Sequence, residues 1–238
     1  MSSAWLRDRL LGDPLLLWKL GCELGLDFGL ATFTELRRRG GDFWSEAEFF
    51  AADLAVGSVL DVALVTLIAT PATLGRSPAV RQGLLGALQR LPAAALGFAP
   101  AGVRYSKAQR ALSVLLKGAQ YGAVGMACGL TGQAMANTAA LTRRALRPKA
   151  ENKSKPEDEY EELMPSIPRT ALLWASFMAG SANVRYQLLA GLDTAVGALP
   201  VSKRYVALPA LVTAAVRFAN NIVGGEHFAQ QARWALVQ

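Results

Sequence analysis

The residues of this sequence that could do chemistry are polar side chains placed inside long apolar stretches. Asp53 and Asp61 lie within the apolar run of residues 48–75. Arg185 and Arg217 lie within two later apolar runs. An ionisable side chain in the hydrocarbon core of a membrane costs about 2.5–3.5 kcal/mol on insertion scales, so it usually has a partner or a function. With the neighbouring amides, the candidates for a solute-binding site or an intramembrane charge network are Asp53, Asp61, Asn183, Arg185, Arg217, Asn220 and Asn221.

Asp61 lies near the middle of its apolar run and belongs to a stripe of small and acidic residues. Asp53, Gly57 and Asp61 recur every four residues, which places them along one face of a helix. We expect this stripe to face a helical bundle while leucines such as Leu60 and Leu64 face lipid. We also expect one of the two arginines to face Asp61 and keep it ionised. The alternative is that the ion pair only fixes the helix register, because buried pairs can serve specificity alone.

The composition favours an all-α integral membrane protein. Hydrophobic residues make up 52% of the chain and its mean hydropathy is +0.25. Charged residues make up 18%, compared with about 25% in typical soluble domains. A helix needs about 20 apolar residues to cross about 30 Å of hydrocarbon. The expected fold is a helical bundle of about four transmembrane helices with interfacial amphipathic helices, and the spans are predicted near residues 49–74, 111–141, 170–192 and 205–224.

Two segments are predicted to differ from these spans. Residues 1–42 form an N-terminal amphipathic segment, since Leu17 and Phe28 belong to a series of apolar residues at helical spacing. We expect this helix to lie at the membrane surface or to pack on the bundle. The membrane domain then covers residues 43–238. Within it, residues 142–169 carry a basic run followed by an acidic run, which indicates a charged, solvated linker.

Small residues form a regular series in the second predicted span, which carries no charge between Gly118 and Thr142. Glycines on one face of a helix let a neighbouring backbone approach closely and gain van der Waals contact. Lys117 lies just before this series, and we expect its amine to extend toward lipid headgroups. The predicted packing seam consists of Gly118, Gly122, Gly125, Gly129 and Gly132.

Residues needed for most enzyme and metal chemistry are scarce. His227 is the single histidine, and Cys22 and Cys128 lie far apart in apolar surroundings. The sequence therefore offers almost none of the side chains that zinc sites and histidine-containing triads require. The net charge of +7 is carried mainly between the apolar runs, as in the loops of membrane proteins. We predict a protein that is not an enzyme, with no metal, no cofactor and no nucleic-acid partner.

Five segments, in one order along the chain, carry a family resemblance. They are FWSEAEFFAADLAVGSVLDVALVTLIATPATLG at 43–75, LLKGAQYGAVGMACGLTG at 115–132, SANVRYQLLAG at 181–191, AVRFANNIVGG at 215–225 and ARWALVQ at 232–238. These segments resemble those of the reticulata-related proteins of plants and algae. The resemblance implies a plastid membrane protein, mainly of the envelope, with a role in chloroplast and leaf development. Family members usually carry a long transit peptide, and none is visible here, so the plastid location follows from the resemblance alone.

Two functions remain open at this stage. The first is transport of a small cationic or zwitterionic metabolite, such as an amino acid, for which carboxylates facing a bundle interior are suited. The second is a membrane scaffold or assembly factor that transports nothing. The expected partners are the lipid bilayer, a possible small-molecule solute, and further copies or a membrane complex. Self-assembly is expected because four spans are few for alternating access.

Overall fold

The computed structural model describes residues 3–72, 83–97, 99, 103–146, 166–205 and 207–235, and all regular secondary structure in these ranges is helical. The helices are α1 (Ser3–Gly12), α2 (Leu16–Arg39), α3 (Ala47–Ile68), α4 (Leu84–Gln89), α5 (Lys107–Leu146), α6 (Ile167–Phe177), α7 (Asn183–Ala198), α8 (Pro200–Arg204) and α9 (Ala207–Trp234). A 3₁₀ helix, Gly40–Glu46, precedes α3, and a π-helical turn, Met178–Ala182, joins α6 to α7. The predicted all-α class is confirmed for these ranges.

Among the described helices, α9 is the one that is both long and apolar enough to cross a membrane. The predicted bundle of about four spans is therefore not confirmed. The first and last residues of the linker predicted at 142–169 are helical, because α5 continues to Leu146 and α6 begins at Ile167. Residues 147–165 of the predicted linker lie outside the described residues.

The apolar core lies where α3, α5 and the junction of α6 with α7 meet. Leu60 and Leu64 of α3 are buried there, beside Tyr121 of α5 and Met178 of the π turn. The expectation that these two leucines face lipid is therefore wrong. The physical reason is that α3 packs against both α2 and α5, so its leucine face is covered as well as the part of its acidic face around Asp61.

The predicted glycine seam lies in the interface between α5 and α6. A Cβ atom added to Gly125 would lie 2.6 Å from Cγ of Met178 and 2.7 Å from the Trp174 carbonyl oxygen. The same atom on Gly129 would lie 2.8 Å from Cα of Ala171. Real side chains do not tolerate such distances, so this close approach requires glycine. Gly118 and Gly122 also face this helix, near Ala179, whereas Gly132 faces Val56 of α3.

Helix α2 packs on α3 and α9 through its charged face. Glu23 is 0% exposed, whereas the Leu17 side of the helix points outward and Leu17 itself is 68% exposed. Lys19, Glu23 and Asp27 are spaced by four residues and so share one face. The N-terminal segment is thus packed on the bundle, which was one of its two expected positions, with its polar residues inside.

Three side-chain donors converge on the C-terminal end of α3. They are the Tyr121 hydroxyl, which donates to the carbonyl of Leu64 (2.6 Å), the Lys117 amine, which donates to that of Leu67 (2.6 Å), and Nε of Arg9, which donates to that of Thr66 (2.7 Å). The last four carbonyls of a helix lack intrahelical partners and carry partial negative charge, so the two cations satisfy those of Thr66 and Leu67. The Leu64 carbonyl lies one position earlier, and the Tyr121 hydroxyl is a second donor to it. The expectation that Lys117 extends toward lipid headgroups is therefore wrong.

Candidate functional site

A buried ion pair between α2 and α9 lies at the centre of the polar interior. Nη1 of Arg217 donates to Oε2 of Glu23 at 2.5 Å, and Arg217 is 3% exposed. No ion pair joins Asp61 to either arginine within the described residues, so the predicted partner of Asp61 is wrong. Glu23 satisfies Arg217 instead, because α2 belongs to the bundle and presents its charged face to α9.

The pair continues into a network that links α2, α7 and α9. Nη2 of Arg217 lies 3.7 Å from Oδ2 of Asp193, and the amine of Lys19 lies 3.1 Å from the same oxygen. Lys19 also contacts Asp13 at 2.8 Å. The Thr213 hydroxyl donates to the other oxygen of Asp193 at 2.7 Å. Two cations and three carboxylates thus alternate along one connected path inside the protein.

A cavity of about 450 Å³, here called the larger cavity, adjoins this network. Its polar lining includes Lys19, Asp193, Thr213 and Arg217, and Tyr186 closes one side of it. The guanidinium carbon of Arg217 lies 6.0 Å from the ring centroid of Tyr186. Charged groups of both signs therefore border a space that is large enough for a small solute.

A smaller cavity, of about 210 Å³ and open to the surface on one side, is lined by most of the polar residues predicted from the sequence. Asp61, Arg185, Asn220 and Asn221 line it together with Asp27 of α2, which the sequence analysis did not single out. Its apolar wall consists mainly of Leu60, Leu64, Trp174, Phe177, Met178 and Phe228. Tyr186 lines both cavities.

Hydrogen bonding in the smaller cavity is incomplete. Nε of Arg185 donates to Oδ1 of Asn220 at 3.0 Å, and Nη1 donates to the hydroxyl of Ser181 in the π turn. Oδ2 of Asp61 and Nδ2 of Asn221 are buried and have no hydrogen-bond partner among the described residues. A buried polar atom without a partner costs free energy, so such atoms commonly mark a bound water, ion or ligand.

Asp27 also lies in an unfavourable environment for a charged carboxyl group. Burial and, secondly, the negative charge of Glu23 raise its pKa. Its Oδ2 faces α3 closely, since a Cβ atom added to Gly57 would lie 3.1 Å away. Asp27 and Asp61 therefore approach the same cavity from α2 and α3.

Two predicted site residues lie elsewhere. Asp53 is exposed and lines an open groove of about 550 Å³, which shares Asp27 and Asn221 with the smaller cavity. Asn183 is buried between α5 and α7, where its Nδ2 donates to the carbonyl of Val114 at 2.9 Å. Asn183 therefore joins two helices and does not face either cavity.

The residues that sequence reasoning missed are Asp13, Lys19, Glu23, Asp27 and Asp193. The sequence did indicate that three of them share one face of a helix, because Lys19, Glu23 and Asp27 recur every four residues. In the sequence analysis we interpreted α2 through its apolar residues, so its charges were not considered as partners for Arg217. Within the described residues, no group of three histidine, cysteine or acidic side chains could hold a metal ion.

The chain is similar in sequence to one family of known proteins. The family model RETICULATA-like (Protein RETICULATA-related) matches residues 8–192. Protein RETICULATA-RELATED 1, chloroplastic, of Arabidopsis thaliana is 39% identical over 100% of this chain and 54% of its own length. Protein RETICULATA, chloroplastic, of the same plant is 38% identical over 98% of this chain and 52% of its own length. The chain thus spans about half the length of these curated relatives. No solved structure matches it significantly.

Proposed function

Because the chain belongs to the RETICULATA-related family, as its motifs predicted, we propose that it is a multi-pass membrane protein of the chloroplast envelope. We further propose that it transports a small cationic or zwitterionic metabolite, such as an amino acid, and contributes in this way to chloroplast and leaf development. The word chloroplastic in the names of its relatives supports the compartment. The membrane location and the transport rest on the physical arguments that follow.

The observation that carries the membrane proposal is the arrangement of polar and apolar side chains. On α9, Arg217 and Thr213 are buried while Leu211 is 65% exposed. On α7, Asn183 and Gln187 are buried while Leu188 is 53% exposed. Helix α2 follows the same pattern. Soluble proteins bury large apolar side chains and expose charged ones. The reverse arrangement over several helices suits a lipid environment, where apolar side chains face outward without cost and charged groups pair inside.

The transport proposal rests on the polar path inside this apolar exterior. The groove that Asp53 lines shares residues with the smaller cavity, and the smaller cavity meets the larger one at Tyr186. Charged side chains border each of the three spaces, so a polar solute would find partners at each position. Alternating access would then require the helices that carry these groups to move relative to one another. A homo-oligomer is part of the proposal, since a bundle of this size is small for such motion.

Membrane integration and transport are tested separately. Alkaline carbonate should leave the protein in the membrane pellet, whereas release of the protein would refute integration. Proteoliposomes should take up labelled amino acids or amines in a saturable way. Uptake should be lost in Asp61→Asn and kept in Glu226→Gln, which removes an exposed carboxylate from α9. Uptake no greater than in protein-free liposomes, for every solute tried, would refute transport.

A scaffold or assembly factor is the second candidate. The exposed apolar side chains of α2, α7 and α9 suit partner helices as well as lipid. The glycine seam, however, is already occupied by α6 and so does not serve a partner. A protein without any solute uptake that copurifies with a defined membrane complex would favour this candidate.

A further inference from the structure

We propose that the smaller cavity binds a small organic monocation, an amine in its ammonium form, with Asp61 as the counterion. This inference rests on the proposed transport function and deepens it, because it selects the cation from the two solute classes considered above. Four observations support it: the charge around the cavity, the engagement of both arginines, the unpartnered polar atoms, and the aromatic wall.

The charges that line the smaller cavity do not balance. Asp27 and Asp61 contribute two carboxyl groups, whereas Arg185 contributes one guanidinium group. Acidic groups therefore outnumber basic ones in this lining, and a bound cation would favour the ionised form of a buried carboxyl group. A monocation beside Asp61 would relieve the cost of keeping that carboxylate buried without an ion pair. An anion would increase the imbalance.

Both arginines of the bundle interior already have side-chain hydrogen-bond partners. Two nitrogens of Arg185 donate to Asn220 and Ser181. Arg217 is held by Glu23 at 2.5 Å and lines the larger cavity instead. Nη2 packs against Gly224 of α9, so a carboxylate that pairs with Arg185 along its Nε–Nη2 edge would have to displace Asn220. The ammonium group of a simple amine meets no such competition, which favours a cation over a zwitterion.

Unpartnered atoms indicate where the ammonium group would bind. Oδ2 of Asp61 accepts no hydrogen bond within the described residues, although it is buried. An ammonium group supplies up to three donors for such an acceptor. Nδ2 of Asn221 lacks an acceptor in the same cavity. A ligand with a hydroxyl or carbonyl oxygen close to its amine would satisfy both atoms, whereas a purely apolar ligand would satisfy neither.

The aromatic wall suits the remaining part of such a ligand. The rings of Trp174 and Phe228 have centroids 4.4 Å apart, and those of Phe177 and Phe228 are 5.2 Å apart. All three line the cavity. Ring faces attract cations electrostatically, and alkyl groups pack well against them. A volume of about 210 Å³ restricts the ligand to a few heavy atoms.

Binding can be measured without transport, by calorimetric titration of the full chain in lipid nanodiscs. The probes are n-butylammonium, the neutral 1-butanol and the zwitterion 4-aminobutanoate, with protein-free nanodiscs as the control for partitioning. We expect saturable binding of n-butylammonium, and at least tenfold weaker binding of the other two probes. Equal or tighter binding of 1-butanol or 4-aminobutanoate would overturn the inference.

Variants locate the site. Asp61→Asn should weaken n-butylammonium binding at least tenfold, whereas Glu226→Gln should leave it unchanged. If Asp61→Asn does not fold, Asp27→Asn and Phe228→Leu must each weaken binding. Unchanged affinity in these cavity variants would refute the site. The outcomes separate the two proposals: amine binding without flux refutes transport alone, and flux of zwitterions without amine binding refutes this inference alone.

Discussion

Replacing Arg217 by methionine should destabilise the protein strongly, because it leaves Glu23 buried without its cation. The two side chains are 3% and 0% exposed, and their nearest charged atoms are 2.5 Å apart. Methionine retains most of the apolar volume of the arginine stem, so the change tests charge more than packing. The remaining positive group of the network, Lys19, is held by Asp13 and Asp193.

The size of the effect follows from the geometry of the pair. Two unit charges 2.5 Å apart attract by about 7 kcal/mol at an effective dielectric constant of about 20. Desolvation of both groups offsets part of this attraction, and removal of one partner from a buried pair costs about 3–5 kcal/mol. We expect Arg217→Met to fall in that range. Glu23→Gln should cost less, because Arg217 still has Asp193 at 3.7 Å.

The assay is denaturant unfolding of the purified protein in detergent micelles, monitored by helical circular dichroism. The double variant Glu23→Met with Arg217→Met should recover most of the loss, since it removes both buried charges. Arg38→Met is the matched control: Arg38 pairs with Glu35 on the exposed side of α2, and its loss should cost at most about 1 kcal/mol. A loss below 1 kcal/mol for Arg217→Met, or no recovery in the double variant, would refute the reasoning.

Three other changes test the packing around the site. Gly125→Ala should lower the amount of folded protein in membranes, because its Cβ would meet Met178 and the Trp174 carbonyl, whereas Gly180→Ala, which meets nothing within 4 Å, should have little effect; equal amounts of the two variants would contradict this. Tyr121→Phe should cost about 0.5–1.5 kcal/mol in the same unfolding assay, because the Leu64 carbonyl loses the hydroxyl as its second donor, and an unchanged unfolding curve would show that this bond is dispensable. Asn183→Ala should lower stability through the lost bond to Val114 but leave the affinity for n-butylammonium unchanged; weaker binding would place Asn183 in the site.

The sequence allowed the helical class, the family and the glycine seam to be predicted, because each depends on local pattern. Spacing along one helix shows which residues share a face, and Gly118 through Gly129 do share the face that α6 and the π turn cover. Four of the predicted polar residues also lie together in the smaller cavity. The seam depends on one helix alone, whereas the four polar residues come from α3, α7 and α9 and meet because the fold brings these helices together.

The choice of partner helix could not be predicted from local pattern. Glu23 and Arg217 are 194 residues apart in the sequence, and nothing in either segment identifies the other. The same limitation misplaced Leu60 and Leu64, which looked suited to lipid and instead pack against α5. An apolar side chain satisfies both environments, so its type alone does not distinguish the core from the membrane.

The π turn at Met178–Ala182 changes the direction in which the side chains of α7 point relative to those of α6. The residues that contact α5 include Ala171, Ala175, Ala179 and Asn183, a series with a step of four. On a regular α-helix such a series drifts by about 40° at each step, because 3.6 residues make a turn. The wider turn takes up more residues and turns the series back toward α5. Loss of one residue there would rotate all of α7 by about 100°. Arg185 and Tyr186 would then leave the cavities, although every side chain of the site was still present in the sequence.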